Sequence, residues 1–136
     1  MAYEPFIGEI MIFAGNFAPS GWAFCNGQLL PINQNVALYS IIGTTYGGNG
    51  VSTFGLPDLR GRMPIGFGST PGEFINLGTV GGQNVADLSP VNIPVPEEEE
   101  EQLIHYVSQT PTIPTVPPYL ALNFCIALQG LYPTRW

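Results

Sequence analysis

The sequence contains no lysine and has few charges of either sign. Its three basic residues are all arginines and its acidic residues number ten, so the formal net charge is -7. Proteins that bind nucleic acids or anionic membranes neutralise phosphate groups with clustered lysine and arginine. We therefore expect no nucleic-acid partner and no membrane insertion.

Histidine is almost absent, which excludes several kinds of enzyme. His105 is the single histidine, so one chain cannot build a histidine-rich metal site. Neither a Gly-x-Ser-x-Gly motif nor a Gly-Lys-Ser/Thr phosphate loop is present. We predict no catalytic residues, no metal and no cofactor, and therefore a protein that is not an enzyme.

Cysteine is scarce as well. Cys25 and Cys125 are the two cysteines, too few for a disulfide framework. Two alternatives stay open for them: a single disulfide, or a pair of buried thiols that behave as small apolar side chains.

The sequence has no long apolar run, and no N-terminal leader is expected. Gly, Pro, Asn or Ser interrupts every apolar run well before the length of a membrane span. No basic segment followed by an apolar stretch opens the sequence, so we expect no classical signal peptide.

Glycine and proline are abundant. With 17 Gly and 14 Pro, the chain has about double the usual share of roughly 7% and 5%, which favours turns over helices. Because 45% of the residues are hydrophobic, the chain can form one hydrophobic core, and we predict a single domain over residues 1–136. The predicted fold class is α+β, mostly β, with short strands and many Gly/Pro loops.

Local patterns place the elements of this fold. Three apolar, β-favouring segments at residues 6–14, 22–25 and 28–31 predict a small β meander. One short helix is predicted near residues 34–42, capped by Asn33 and stopped by Gly43.

The rest of the chain is predicted to be mainly loop, apart from one strand. Residues 44–53 and 66–82 are glycine-rich and are predicted as loops. The most apolar segment, residues 119–128, is predicted to be a buried central strand that closes the sheet against the meander. Between them, prolines and the glutamates of residues 97–101 predict an extended arm at about 90–118, with the glutamates solvated.

The densest motif is Phe54-Gly-Leu-Pro-Asp58-Leu-Arg60-Gly-Arg62. Two of the three arginines lie here, close to an aspartate in a Pro-Asp turn. We predict a structural network of Asp58, Arg60 and Arg62 that fixes the glycine-rich loops to the body of the protein.

Four motifs in order resemble one known family: Ile7-Gly-Glu-Ile, Gly21-Trp22-Ala-Phe-Cys25-Asn-Gly27, Thr53-Phe-Gly-Leu-Pro-Asp-Leu-Arg-Gly-Arg62 and Pro118-Tyr119-Leu-Ala-Leu-Asn123-Phe-Cys-Ile-Ala. Together they resemble the phage tail collar domain, and are most similar to its small stand-alone members, known as microcystin-dependent proteins. The resemblance covers about residues 5–90 and 118–133. It implies a compact, mostly β collar with a short helix, which is trimeric in the well-known tail-fibre members.

The sequence departs from the family at one place. Many collar proteins carry two histidines that bind metal along the trimer axis, in a Pro-x-His-x-His stretch. Here Pro96 and Glu98 occupy the matching positions, and proline has no donor atom. A stacked histidine-metal axis is therefore not expected.

The resemblance implies a non-catalytic structural and attachment component of a phage-tail-like fibre or contractile injection system. Such a protein would be a homo-oligomer, a trimer, bound to other tail or fibre proteins and outside the cell in a virion or tail-like particle. It would present a surface to a cell-surface glycan or protein receptor. The alternative is a monomeric carbohydrate-binding module that stacks sugars on Trp22, Tyr46 or Trp136.

Overall fold

The computed structural model describes residues 3–87 and 112–135. The chain divides into two compact units, one formed by Met1–Thr79 with Ala121–Trp136 and the other by Val80–Leu120. The described residues contain nine strands, a short 3-10 helix (Ile32–Gln34) and one α-helix, α1 (Val36–Ile42). The strands are β1 (Ile10–Phe13), β2 (Trp22–Phe24), β3 (Leu29–Pro31), β4 (Thr53–Gly55), β5 (Gly68–Thr70), β6 (Glu73–Ile75), β7 (Val85–Asp87), β8 (Thr112–Pro114) and β9 (Asn123–Ala127).

The predicted mostly β fold with one short helix is confirmed, but the predicted meander is wrong. Strands β1 and β2 do not pair with each other, because β9 lies between them and pairs antiparallel with both. The most apolar strand therefore takes the central position, where both of its edges are hydrogen-bonded. Residues 125–127 are buried completely or almost so, as the predicted central strand requires.

Strand β3 pairs instead with β4, in a separate two-stranded sheet. Glycines in the segment before β4 predicted a loop there, and no sequence pattern indicated β4. Leu38, Phe54 and Leu56 pack with Cys25 and Ile126 in the core of the first unit. The core thus lies between α1, the β3–β4 pair and one face of the three-stranded sheet.

Helix α1 agrees with the prediction at its end but not at its start. It ends at Gly43, whose φ of 53° is a left-handed value that suits glycine. Asn33, the predicted cap, lies within the 3-10 helix, and Asn35 precedes α1 instead. The Asn35 side chain donates from Nδ2 to the Pro31 carbonyl at 3.1 Å, so it holds the 3-10 helix rather than the first turn of α1.

The loop at residues 44–52 is held by one asparagine and by close backbone packing. Asn49 Oδ1 accepts hydrogen bonds from the backbone N–H groups of Val51, Ser52 and Thr53 at 2.9–3.1 Å. Gly48 has φ +90°, and a Cβ there would lie 2.3 Å from the Phe54 Cα. The loop backbone therefore approaches β4 more closely than any residue with a side chain allows.

A hairpin occupies part of the predicted loop at residues 66–82. Strand β5 pairs antiparallel with β6 across the two residues Pro71 and Gly72. Proline followed by a glycine with φ +93° is typical of a type II turn, which needs a positive φ at its third residue. Each strand is only three residues long, so its pattern gave no strand signal.

The second unit contains one pair of strands, β7 and β8, with Ala86 opposite Ile113. Thr115 N–H donates to the Asn84 carbonyl at 3.0 Å. Most of the predicted arm at about 90–118 lies outside the described residues, including Pro96, Glu98, the glutamates of residues 97–101 and His105. The single domain stays a prediction.

Residues 3–87 and 112–135 include no helix long and apolar enough to cross a membrane. Across the same ranges, no three His, Cys, Asp or Glu side chains gather in a group that could hold a metal ion.

Candidate functional site

Two of the motifs found in the sequence lie side by side in the structure. The β3–β4 pairing continues beyond its strands: Leu56 N–H donates to the Gln28 carbonyl at 3.0 Å, and Gly27 N–H donates to the Pro57 carbonyl at 3.1 Å. Asn26 and Asp58 then form an isolated antiparallel bridge. Residues 25–28 and 56–59 thus form one hydrogen-bonded strip, called here the corner.

The corner brings its aspartate against a glycine. Gly27 has φ +71°, and a Cβ there would lie 3.0 Å from the Cβ of Asp58. On the other side of Asp58, Leu59 N–H donates to the Cys25 carbonyl at 2.9 Å. Asp58 is therefore positioned by backbone bonds on both sides, independently of its charge.

Asp58 accepts hydrogen bonds from both neighbouring arginines. The Arg60 guanidinium donates from Nε to Oδ1 and from Nη2 to Oδ2, each at 2.9 Å, and the Arg60 N–H donates to Oδ1 at 3.2 Å. Arg62 Nη1 donates to the Asp58 carbonyl at 3.0 Å and lies 3.5 Å from Oδ2. The structure therefore brings the three predicted network residues together.

The part of the chain that contains the corner is also the part that is similar to known proteins. A family model described as Phage Tail Collar Domain matches residues 8–64, which run from β1 through the corner. Residues 8–64 belong to the phage tail collar family. The short tail fiber protein gp12 of Enterobacteria phage T4 is 43% identical to this chain over 63 residues, which are 46% of the chain and 12% of that protein.

The sheet formed by residues 8–64, called here the collar segment, includes a strand from outside that range. Strands β1 and β2 lie within residues 8–64, whereas β9, which pairs with both, begins at Asn123. The Asn123 side chain donates from Nδ2 to the Gly15 carbonyl at 2.6 Å, which ties β9 to the turn after β1. The far end of the chain thus closes the sheet of the collar segment.

The network in the collar corner is local and exposed. Hydrogen bonds from Arg60, followed by the nearby positive charges, lower the pKa of the Asp58 carboxyl to about 2. The Arg60 side chain is 66% exposed and that of Asp58 is 30% exposed, so solvent screens the ion pairs and each adds little to stability. All the hydrogen bonds and ion pairs of the network join Asp58 to Arg60 or Arg62, so they stabilise one turn. None of these contacts connects a glycine-rich loop to the rest of the protein.

The two cysteines lie on adjacent strands but on opposite faces of the sheet. Phe24 pairs with Cys125, and Cys25 N–H donates to the Phe124 carbonyl at 2.9 Å. Because side chains alternate across a strand, Cys25 faces with Phe124 and Cys125 faces with Phe24. Both cysteines are free and buried, and this geometry favours thiols over a disulfide.

The candidate stacking residues are dispersed. Trp22 is partly buried in β2, where it pairs with Ala127. Tyr46 is partly buried in the loop after α1, and desolvation raises the pKa of its phenol. Trp136 lies outside the described residues. Trp22 and Tyr46 therefore belong to different elements of the first compact unit.

A feature that the sequence analysis did not single out follows the corner directly. Large apolar side chains between residues 63 and 77 are 57–78% exposed: Met63, Ile65, Phe67, Phe74 and Leu77. They are called here the apolar segment. Met63, Ile65 and Phe67 alternate along the chain, and this alternation was the signal available in the sequence.

Proposed function

We propose that this chain is a non-catalytic structural and attachment component of a phage-tail-like fibre or contractile injection system, and that it works as a homotrimer. The observation that carries the proposal is the collar segment, which is 43% identical over 63 residues to a short tail fiber protein. The chain corresponds to about an eighth of that relative's length, so the relative's role is transferred here only as part of the proposal.

In this proposal the chain lies outside the cell as part of a virion or tail-like particle. It contacts other tail or fibre proteins and presents a surface to a receptor, which is a glycan or a protein of the cell surface. In the same proposal it belongs with the collar proteins known as microcystin-dependent proteins. Neither an enzymatic reaction nor binding to nucleic acid or membrane is part of this role.

The architecture of the corner suits a role in assembly. Backbone hydrogen bonds between residues 25–28 and 56–59 fix the direction of the chain just before the apolar segment begins. The Asp58–Arg60 ion pair stiffens the turn between the corner and the apolar segment. A rigid base of this kind presents the apolar segment without the entropy cost of ordering it on association.

The apolar segment supports self-association on energetic grounds. Burying an exposed Leu, Ile, Phe or Met side chain contributes about 1.5–3 kcal/mol, and side chains already partly covered contribute roughly 1–2 kcal/mol each. Five such side chains in each copy offset an association cost of roughly 4–15 kcal/mol. Assembly of identical copies through this segment is therefore energetically feasible.

The assembly surface is tested by replacing two members of the apolar segment. Ile65→Ser with Phe67→Ser should lower the mass of the particle measured by light scattering, because both side chains are 63–65% exposed in the single chain. Val51→Ser is the matched control, since Val51 is 86% exposed on a different loop. Unchanged mass in the double variant, or an equal loss in the control, would contradict assembly through this segment.

The role in a tail is tested by immunogold electron microscopy. Antibody raised against the chain should label fibres or tail ends of particles purified from the source cells. Particles that carry no label, while the same antibody detects free chain in the supernatant, would contradict the tail-fibre proposal.

The alternative remains a monomeric carbohydrate-binding module. It would use Trp22, Tyr46 or Trp136 as a stacking platform, and the partial burial of Trp22 and Tyr46 leaves part of each ring accessible. Saturable binding of neutral sugars by a monodisperse monomer, lost in Trp22→Ala, would favour it over the fibre component.

A further inference from the structure

A cleft lies where α1 meets the segment that follows β9. Its volume is about 530 Å³, and it is lined by Ser40, Ile41, Tyr132, Pro133, Thr134 and Arg135. All six residues belong to the first compact unit. The volume falls within the range of about 300–1,000 Å³ that small-molecule sites occupy.

A chain of hydroxyl groups fixes one wall of the cleft. Ser40 Oγ donates its single proton to the Ala37 carbonyl at 2.7 Å. Its 2.8 Å contact with the Tyr132 hydroxyl therefore has the tyrosine as the donor. Both protons are used within the protein, so the oxygens of Tyr132 and Ser40 offer lone pairs that accept hydrogen bonds from a ligand.

Arg135 supplies positive charge to the same cleft. The ion pairs of the described residues join Asp58 to Arg60 and to Arg62, and none within residues 3–87 and 112–135 involves Arg135. A guanidinium presents its donors in a planar fork that matches a carboxylate. In a chain of net charge -7, a single arginine suits a ligand with one negative charge better than a polyanion.

We propose that this cleft binds a carboxylate-bearing sugar of the uronic acid type. The carboxylate pairs with Arg135, and the ring hydroxyls donate to the oxygens of Tyr132 and Ser40. Thr134 adds a further hydroxyl, while Ile41 and Pro133 provide apolar surface for the C–H face of the sugar ring. A neutral sugar would make no use of the Arg135 charge, and a simple carboxylate would make no use of the hydroxyl wall.

The inference goes beyond the proposed function, because it requires neither assembly nor a tail. It names the class of ligand for one site on a single chain. A protein that forms trimers but does not bind the sugar would refute the inference alone, whereas a monomer that binds it would refute only the assembly proposal.

The test is a titration of the full chain with methyl glucuronide, in which binding is measured from the amide chemical shifts by NMR in solution. We expect saturable shifts at Ser40, Ile41 and Tyr132, with a dissociation constant on the order of 1 mM, typical of a weak single-sugar site. Methyl glucoside and acetate should each bind at least tenfold more weakly, because each satisfies only half of the cleft.

Two variants and a matched control make the result specific. Arg135→Gln should weaken binding by about tenfold or more, and Tyr132→Phe by roughly fivefold, in line with charged and neutral hydrogen bonds. Arg62→Gln removes the same charge from an exposed arginine outside the cleft and should leave binding unchanged. Arg135→Lys should keep part of the affinity, which guards against a loss that comes only from misfolding.

Several outcomes would overturn the proposal. Shifts confined to residues outside the cleft would do so, and so would an equal effect of Arg62→Gln. Equal affinity for acetate would reduce the site to a general anion site, and equal affinity for methyl glucoside would remove the role of Arg135.

Discussion

Truncation of Leu56 at the collar corner is predicted to destabilise the protein strongly. Leu56 is fully buried and packs with Phe54, Leu38 and Cys25 in the core. Its own N–H is bonded to the Gln28 carbonyl at 3.0 Å, and the flanking strip is bonded in the same way. Because these backbone bonds prevent the site from collapsing, Leu56→Ala should leave most of its cavity and cost about 3 kcal/mol, within the range of roughly 2–5 kcal/mol for such changes.

Urea unfolding followed by tryptophan fluorescence measures this loss. With a slope of about 2 kcal/mol per molar urea, the midpoint of Leu56→Ala should fall by about 1.5 M. Protein concentration has to be the same for every variant, since association couples to stability. Leu29→Ala is the matched control. Because Leu29 is 59% exposed in β3, this substitution should change the free energy of unfolding by no more than about 0.5 kcal/mol. A cost below about 1 kcal/mol for Leu56→Ala would refute the rigid-corner reasoning.

Three further predictions concern the corner, the thiols and the loop. Because Arg60 lowers the pKa of Asp58 from 3.8 to about 2, the stabilisation from this pair is present above pH 4 and lost as the pH falls to 2; the difference in melting temperature between wild type and Asp58→Asn should shrink over that range, and a constant difference would contradict it. Burial raises the pKa of the Cys25 thiol to about 11, so a thiol reagent at pH 8 should react slowly with the native chain. In urea without reductant the same reagent should detect two free thiols per chain. The absence of free thiols in urea would indicate a disulfide. Gly48→Ala should cost about 1–3 kcal/mol from overpacking against Phe54, more than Gly61→Ala, where φ is also positive but nothing lies within 4 Å of a Cβ; equal costs in thermal melting would count against the close approach.

The sequence predicted those elements whose signal is local. The end of α1 at Gly43 and the buried strand β9 follow from composition within a few residues, and both are present. The order β1-β9-β2 could not be predicted, because it depends on pairing between residues more than 100 positions apart. Neighbouring strands most often pair with each other, and that preference misled the prediction of a meander.

The candidate sites divide in the same way. Asp58, Arg60 and Arg62 lie within five residues, so their contact could be predicted from charge and spacing. The contact between Ser40 and Tyr132 spans 92 positions, and nothing near either residue indicates a cleft. The local exposure of the arginine network was also hidden from the sequence, because it depends on which surfaces the rest of the chain leaves uncovered.

Sedimentation equilibrium of the wild-type chain over roughly 1–100 µM measures whether identical copies assemble. We expect a single species with three times the chain mass of 14.7 kDa, which persists at the lowest concentration because the proposed assembly buries the apolar segment of each copy. A species of 14.7 kDa across the whole range would contradict the proposal that this chain acts through assembly.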